Sequence, residues 1–275
     1  MEQTNKKYLS TSKHYLSQKT WRFLRHVIPL GLWNFLYASR QRLLLKKLES
    51  LIADMVSQYS KSGSEKGKNT GKIAAAIMQN DESVKKEAAI LEKLFTEYES
   101  DKCVLHNYNY LYGALFKDIK DSASRVMEVG TYKGASLRSW KSYFTTAEIY
   151  GIDIDPDTVF VEPRINTMLA DQNKIDSLGN VNKTWQHKYD VVIDDGWHQP
   201  EASVFTMLAF VPQLGKGGIY VLEDIDQEKY HTFYKNIMNM VNESDDFYAE
   251  YIDLPACVPS TGSGYNYGVL VIKKL

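Results

Sequence analysis

Two apolar runs in the sequence end in acidic residues: YDVVI leads into DDGWH and GGIYVL into EDI, which places Asp195, Glu223 and Asp224 at two run ends. Carboxylates drawn together repel one another and resist ionising unless a cation sits among them. An all-oxygen donor set suits Mg2+ best, and Mn2+ or Ca2+ can use the same donors. His198 follows Asp195 by three residues, just ahead of Pro200. An imidazole, with an ordinary pKa of about 6.5, suits a general base near neutral pH. An ion that lowers the pKa of an alcohol, beside a histidine that takes its proton, is chemistry for making an oxygen nucleophile.

A second group of residues describes a ligand. RVMEVG runs directly into TYKGASLRSW, a glycine-bearing turn between a buried strand and a helix that begins near Ala135. A dinucleotide fingerprint needs glycines at 130, 132 and 135; the chain has Gly130, Tyr132 and Ala135, which disfavours a pyrophosphate and hence NAD. Glu128 at the strand tip suits an ammonium group, and Gly134 leaves a helix N-terminus open to a carboxylate. YGIDID puts Asp153 where a carboxylate can accept the hydroxyls of a ribose, and MLADQ offers Asp171 and Gln172 to the edge of an adenine. Tyr132 and Asp194 border the same rim. An amino acid at one end and an adenosine at the other is S-adenosylmethionine (SAM), and methyl transfer to an activated hydroxyl gives a methyl ether.

Each residue also has a plainer reading. A single histidine at a loop-to-helix junction is often a cap, and acidic residues at strand ends are often merely solvated. Trp197 either shields the adenine or belongs to the core. His106, Tyr108 and Tyr112, in HNYNYLY, fall at spacings that suit a substrate cleft or aromatic packing under a sheet.

Positioning these groups requires a sheet. Beyond Ser124, short β-rich runs alternate with helical ones, which predicts an α/β, Rossmann-like, doubly wound sheet of seven mostly parallel strands with an antiparallel C-terminal edge strand and a helical N-terminal extension. The strands read are 125–129, 148–152, 165–169, 190–193, 218–222, 247–253 and 267–273, the last two pairing as a hairpin. Upstream, Asp81 or Ser83 caps a helix running to about Tyr98. Leu44, Leu48, Leu51, Ile52 and Met55 recur at helical spacing over 41–59. Segment 60–72, SKSGSEKGKNTGK, reads as a flexible linker. The domains are therefore 1–59, a basic amphipathic arm; 60–72, a linker; and 73–275, a catalytic domain.

The total charge of −1 conceals an asymmetry. Residues 1–50 carry ten Lys/Arg against Glu2 and Glu49, a net of +8, which leaves −9 on the remainder. A basic arm on an acidic body suits an anionic surface at the arm and excludes nucleic acid as a partner of the body through bulk charge. Residues 21–47 mix Trp21, Phe23, Leu30, Trp33, Phe35 and Leu43 with Lys/Arg, as interfacial helices do; peripheral membrane contact and packing on a second subunit of a homo-oligomer account for that pattern equally. Stretch 26–39 is broken by Pro29, Gly31 and Asn34 and does not span a bilayer. Neither a signal-peptide layout nor a disulfide framework is present, Cys103 and Cys257 being the two cysteines, so a cytoplasmic setting is expected.

Together the motifs DK-x3-H-x-Y-x3-Y, EVGTYKGASLRSWKSYF, YGIDID, LADQN, VVIDDGWH and VLEDI resemble the class I SAM-dependent methyltransferases of the macrocin and mycinamicin sugar O-methyltransferase type, over about residues 100–230. The resemblance implies SAM contacts at Glu128, Gly130, Ser136, Asp153, Asp171 and Gln172, Mg2+ ligands at Asp195, Glu223 and Asp224, and His198 as base. It implies a small-molecule or glycan acceptor, a sugar hydroxyl on a glycosylated product. Catechol O-methyltransferase is similar at a distance, with a lysine as its base. Trp197 stands where the family usually has a small serine, and residues 1–70 have no counterpart. Two other readings compete: a catechol- or phenol-directed O-methyltransferase, and a non-catalytic binding protein tethered by its arm.

Overall fold

The computed structural model describes residues 30–59, 72–79, 81–103, 107–254 and 267–275, with side chains from residue 38 onward in the first of these. His106, most of the basic arm, segment 60–71 and Cys257 lie outside the described residues. The chain divides into two compact units, 1–47 and 48–275. No helix among the described residues is long and apolar enough to cross a membrane.

Helix α1 (Leu30–Ser57) starts in the first unit and ends in the second. In the second unit it buries Leu48, Leu51, Ile52, Met55 and Val56, the stripe read from the sequence, while Asn236 Nδ2 donates to Glu49 Oε1 at 2.9 Å. The packed body thus begins at Leu48, upstream of the glycine- and lysine-rich segment. Helix α1 also reaches back through Gly31 and Asn34, because one helical glycine costs only about 1 kcal/mol relative to alanine.

Among the described residues, three further helices, α2 (Lys72–Met78), α3 (Glu82–Glu97) and α4 (Tyr108–Phe116), precede the sheet. Asp81 caps α3, its carboxylate accepting from Ser83 N at 2.8 Å. The alternating part of the chain gives β1 (Arg125–Val129), α5 (Ala135–Tyr143), β2 (Glu148–Asp153), β3 (Val161–Glu162), β4 (Ile165–Leu169), α6 (Ile175–Thr184), β5 (Tyr189–Asp194), α7 (Pro200–Phe210), β6 (Leu214–Asp226), α8 (Gln227–Val241), β7 (Phe247–Asp253) and β8 (Tyr267–Lys274).

The sheet has eight strands in the order β3-β4-β2-β1-β5-β6-β8-β7. Strands β4, β2, β1, β5 and β6 are parallel neighbours, and β8 lies antiparallel between β6 and β7. The eighth strand, absent from the sequence reading, is β3, a two-residue antiparallel edge on β4. Strand β1 is buried at every residue after Arg125, as expected for a central parallel strand covered on both faces. Its cover on one side is an aromatic cluster in which Phe95, Tyr112 and Phe116 set their rings 5.1, 4.9 and 5.9 Å from Trp140. The chain leaves β1 toward β2 and β4 on one side and returns from β4 to β5 on the other side of β1, so the crevice at the C-terminal ends of β1 and β5 is the topological switch point where open α/β sheets bind ligands.

Candidate active site

Register places the acidic tips side by side. Val129 pairs with both Ile152 and Asp194, and Asp194 with Leu222. Asp195 therefore emerges beside Gly130, and Glu223 beside Asp195. Between β6 and β8 the pairs Leu222↔Leu270 and Ile225↔Gly268 leave Glu223 and Asp224 opposite a single residue, a bulge in which Asp224 adopts φ +52°. Bulges re-aim side chains next to active sites, and this one sets two consecutive carboxylates at the rim. His198 (φ +50°), Tyr132 (φ +43°) and Glu99 (φ +60°) also hold left-handed backbone near the site, while Arg164 (φ +63°) does so in the turn before β4.

Asp195 Oδ1 lies 3.8 Å from His198 Nε2, which lies 3.8 Å from Asp224 Oδ2. One donor atom from each of these three residues falls within 4.8 Å of the others. Donors to one divalent ion, each about 2.0–2.6 Å from it, span no more than about 5 Å, so the cluster has the spacing of a chelating set. The buried His198 Nδ1 has no hydrogen-bond partner.

Glu223 is arranged differently from the sequence expectation that groups it with Asp195 and Asp224 as equivalent ligands. Its carboxylate is 1% exposed and both oxygens accept from Lys102 Nζ at 2.8 Å, with the Tyr112 hydroxyl also donating to Oε1. Burial first, and then the Asp195 charge, push its carboxyl well above the usual range. The same ammonium reaches Asp195 Oδ2 at 2.7 Å and Glu128 Oε1 at 3.3 Å. Burial alone would lower Lys102, but the charges of Asp195, Glu223 and Glu128 outweigh it and hold its pKa well above that of an ordinary lysine. The sequence reading includes Lys102 in the motif DK-x3-H-x-Y-x3-Y but gives it no role; the signal available was the same demand for a cation among clustered carboxylates that points to a metal.

A cavity of about 720 Å³ opens at the tips of β1, β2 and β4, within the range of about 300–1,000 Å³ usual for ligand sites. Of the expected cofactor residues, Gly130, Tyr132, Ser136, Asp153 and Gln172 line it, together with Asp195, Lys102 and Trp197, which is 65% exposed. Ser136 Oγ donates to the buried Glu128 Oε2 at 2.6 Å, and burial raises the Glu128 carboxyl. Asp153 Oδ2 accepts from Thr131 N and Tyr132 N, both at 2.9 Å, and so fixes the turn while facing the cavity. The buried hydroxyl oxygen of Thr131, another lining residue, has no partner, as a wall prepared for a polar ligand would leave it. Gly134 (φ +78°) is the left-handed residue that starts α5.

The packing places four of the expected contact residues differently from the sequence expectation. Asp194 is 1% exposed and faces inward, bonded by Gln172 Nε2 at 2.6 Å and Tyr220 OH at 2.8 Å; burial pushes its carboxyl up to about 6. Gln172 spends its amide on Asp194, on Thr206 Oγ1 at 2.8 Å and on Trp197 N at 2.8 Å, bracing the loops instead of presenting an adenine edge. Tyr108, expected beside a substrate, is 1% exposed and donates to Asp224 Oδ1 at 2.5 Å. Asp171 lies off the cavity wall and pairs with Lys174 at 2.8 Å.

Gly130 is required where it stands. Its φ is +88°, and an added Cβ would lie 2.1 Å from the carbonyl oxygen of Asp195. A Gly130→Ala variant is expected to lose roughly 2–4 kcal/mol of stability, read as a lower denaturant midpoint. An unchanged midpoint would show that the β1 and β5 tips can separate freely.

A doubly wound sheet with this strand order, a cavity at the switch point and acidic tips beside it is a Rossmann-like architecture. No protein-family model matches the chain. Over 150 residues it is 35% identical to the 8-demethyl-8-alpha-L-rhamnosyl tetracenomycin-C 2'-O-methyltransferase of Streptomyces olivaceus, a match covering 52% of this chain and 39% of that one. Over 143 residues it is 36% identical to the mycinamicin VI 2''-O-methyltransferase of Micromonospora griseorubida, covering 49% of this chain and 36% of the relative. The MycE methyltransferase of the mycinamycin biosynthetic pathway, solved in complex with Mg, SAH and mycinamycin VI, is 34% identical and aligns with a TM-score of 0.47 over 52% of this chain and 39% of that one. The chain thus spans less than two fifths of the length of these relatives, and in the matched region it resembles sugar O-methyltransferases, as its motifs do.

Proposed function

We propose that the chain is a SAM- and Mg2+-dependent O-methyltransferase that methylates a hydroxyl of a sugar or glycosylated small molecule. The observation that carries the reading is the convergence of Asp195, His198 and Asp224 beside a cavity walled by the Gly130–Ser136 turn. The relatives named as sugar O-methyltransferases support the acceptor class.

When bound, SAM supplies a methyl group on a sulfonium and the divalent ion lowers the pKa of the acceptor hydroxyl. Asp195 Oδ1 and Asp224 Oδ2 would hold the ion, with Glu223 drawn toward Lys102 behind them. His198 accepts the hydroxyl proton at Nε2, within reach of both carboxylates that stabilise the resulting imidazolium. Glu128 and Ser136 form the ammonium end of the cofactor wall, and Asp153 the ribose end. Tyr132 and Trp197 flank the mouth and exclude water from the transferring group.

Calorimetry with S-adenosylhomocysteine and a methyl-transfer assay on glycosylated acceptors test the proposal. Binding should be saturable, and transfer should fall to background in excess EDTA and return with added Mg2+. Transfer at full rate in EDTA would remove the ion from the reaction, and absence of cofactor binding would favour a non-catalytic role.

A further inference from the structure

The carboxylates at the sheet tips already contain a cation. Lys102 lies in the turn that follows α3, its side chain is 2% exposed, and its ammonium meets Glu128 Oε1 at 3.3 Å, Asp195 Oδ2 at 2.7 Å and both Glu223 oxygens at 2.8 Å. Those three acids come from three adjacent strands, β1, β5 and β6. Glu128 belongs to the cofactor end of the site and Asp195 and Glu223 to the acceptor end. One buried charge therefore bridges both halves. Helix α4 completes the clamp from the same stretch of chain, Tyr112 donating to Glu223 and Tyr108 to Asp224.

We propose that Lys102 is a positioning residue, a tethered cation that assembles Glu128, Asp195 and Glu223 across the two halves of the site before any divalent ion binds, leaving Asp195 Oδ1, Asp224 and His198 on the open side. The inference rests on the reading of this site as a Mg2+-assisted methyl-transfer centre. Geometry supplies the argument. The buried ammonium hydrogen-bonds Asp195 Oδ2 and both Glu223 oxygens and lies 3.3 Å from Glu128 Oε1 as an ion pair, and the Asp195 carboxylate is divided, Oδ2 held by the lysine and Oδ1 turned toward His198. Without the ammonium, Glu128 would keep Ser136 and Glu223 would keep Tyr112, but no positive charge other than a bound ion would offset the three acids, and an uncompensated buried charge is costly to the fold.

The test compares wild type with Lys102→Met, similar in length and uncharged, by thermal melting in EDTA and in Mg2+ and by calorimetry with S-adenosylhomocysteine. Wild type should melt only a few degrees higher in Mg2+ than in EDTA, the stabilisation that ion binding at Asp195 Oδ1 and Asp224 confers. Lys102→Met should melt roughly 10 °C lower in EDTA and recover most of that difference in Mg2+, because the ion then does what the lysine did. Its affinity for S-adenosylhomocysteine should fall about tenfold in EDTA and recover in Mg2+. Should Lys102→Met fail to fold, Lys102→Met/Glu223→Gln, which removes one acid with the base, should fold in EDTA while still binding S-adenosylhomocysteine about tenfold more weakly than wild type. The proposal is overturned if Lys102→Met matches wild type in EDTA by both measurements, if Mg2+ restores none of its loss, or if the double variant binds as wild type. Wild type that binds no S-adenosylhomocysteine would refute the methyl-transfer reading, while the melting comparison still decides the part played by Lys102.

Discussion

Asp195→Asn is expected to reduce kcat by at least about 10³-fold while leaving S-adenosylhomocysteine binding within a few-fold of wild type. The substitution preserves shape, and that makes it informative. Asp195 divides its carboxylate, Oδ2 accepting from Lys102 at 2.7 Å and Oδ1 lying 3.8 Å from His198 Nε2 on the side of Asp224. An amide has one acceptor oxygen and one donor nitrogen. With its oxygen toward Lys102, it presents NH2 to the ion position; flipped, it sets NH2 against an ammonium. Neither orientation serves both neighbours, and the negative charge that would hold the ion is lost in both. The backbone should be untouched, since Asp195 N still donates to Val129 O at 2.9 Å. Rate assays at saturating acceptor, paired with calorimetry and a melting curve, separate this loss from unfolding. A variant within tenfold of wild type in kcat would remove Asp195 from the chemistry.

The same residue shows what could be read from the sequence. Apolar runs ending in acids fixed β1, β5 and β6 and the rim on which their tips meet, because a central parallel strand buried on both faces leaves an unbroken hydrophobic signal. The two-residue β3 has no such signal. The demand for a cation among clustered carboxylates was also legible, but its source was not: Lys102 stands 93 residues from Asp195 and 121 from Glu223, and no local spacing announces a pairing over that distance. Asp194 was misplaced for a reason the sequence did contain. Successive residues of a strand face opposite sides, so if Asp195 serves the rim, Asp194 points into the sheet, where Gln172 and Tyr220 receive it. Gln172 follows from that: an amide committed to a buried acid, a threonine hydroxyl and a loop N–H is not available to a ligand. The bulge at Glu223 and Asp224 left no pattern in sequence, yet it separates the two acids into one held by Lys102 and one held by Tyr108.

That separation bears on His198. His198→Ala should lower kcat by ~10²–10⁴-fold, the usual contribution of a general base, with little change in SAM affinity, since the side chain sits between Asp195 and Asp224 and is not among the residues lining the cavity. Its imidazole stands equidistant from Asp195 and Asp224, 3.8 Å from each, close enough to be read as a third ion ligand. The two roles exclude each other at Nε2, because a lone pair that coordinates an ion cannot accept a proton. They also predict different losses. A base contributes to proton removal, so His198→Ala should leave the Mg2+ concentration for half-maximal activity unchanged while kcat falls. A ligand contributes to ion affinity, so that concentration should rise and excess Mg2+ should restore much of the rate. The first outcome is expected, since the carboxylates of Asp195 and Asp224 carry the negative charge that attracts the ion. Full activity in His198→Ala at every Mg2+ concentration, low as well as high, would end both assignments.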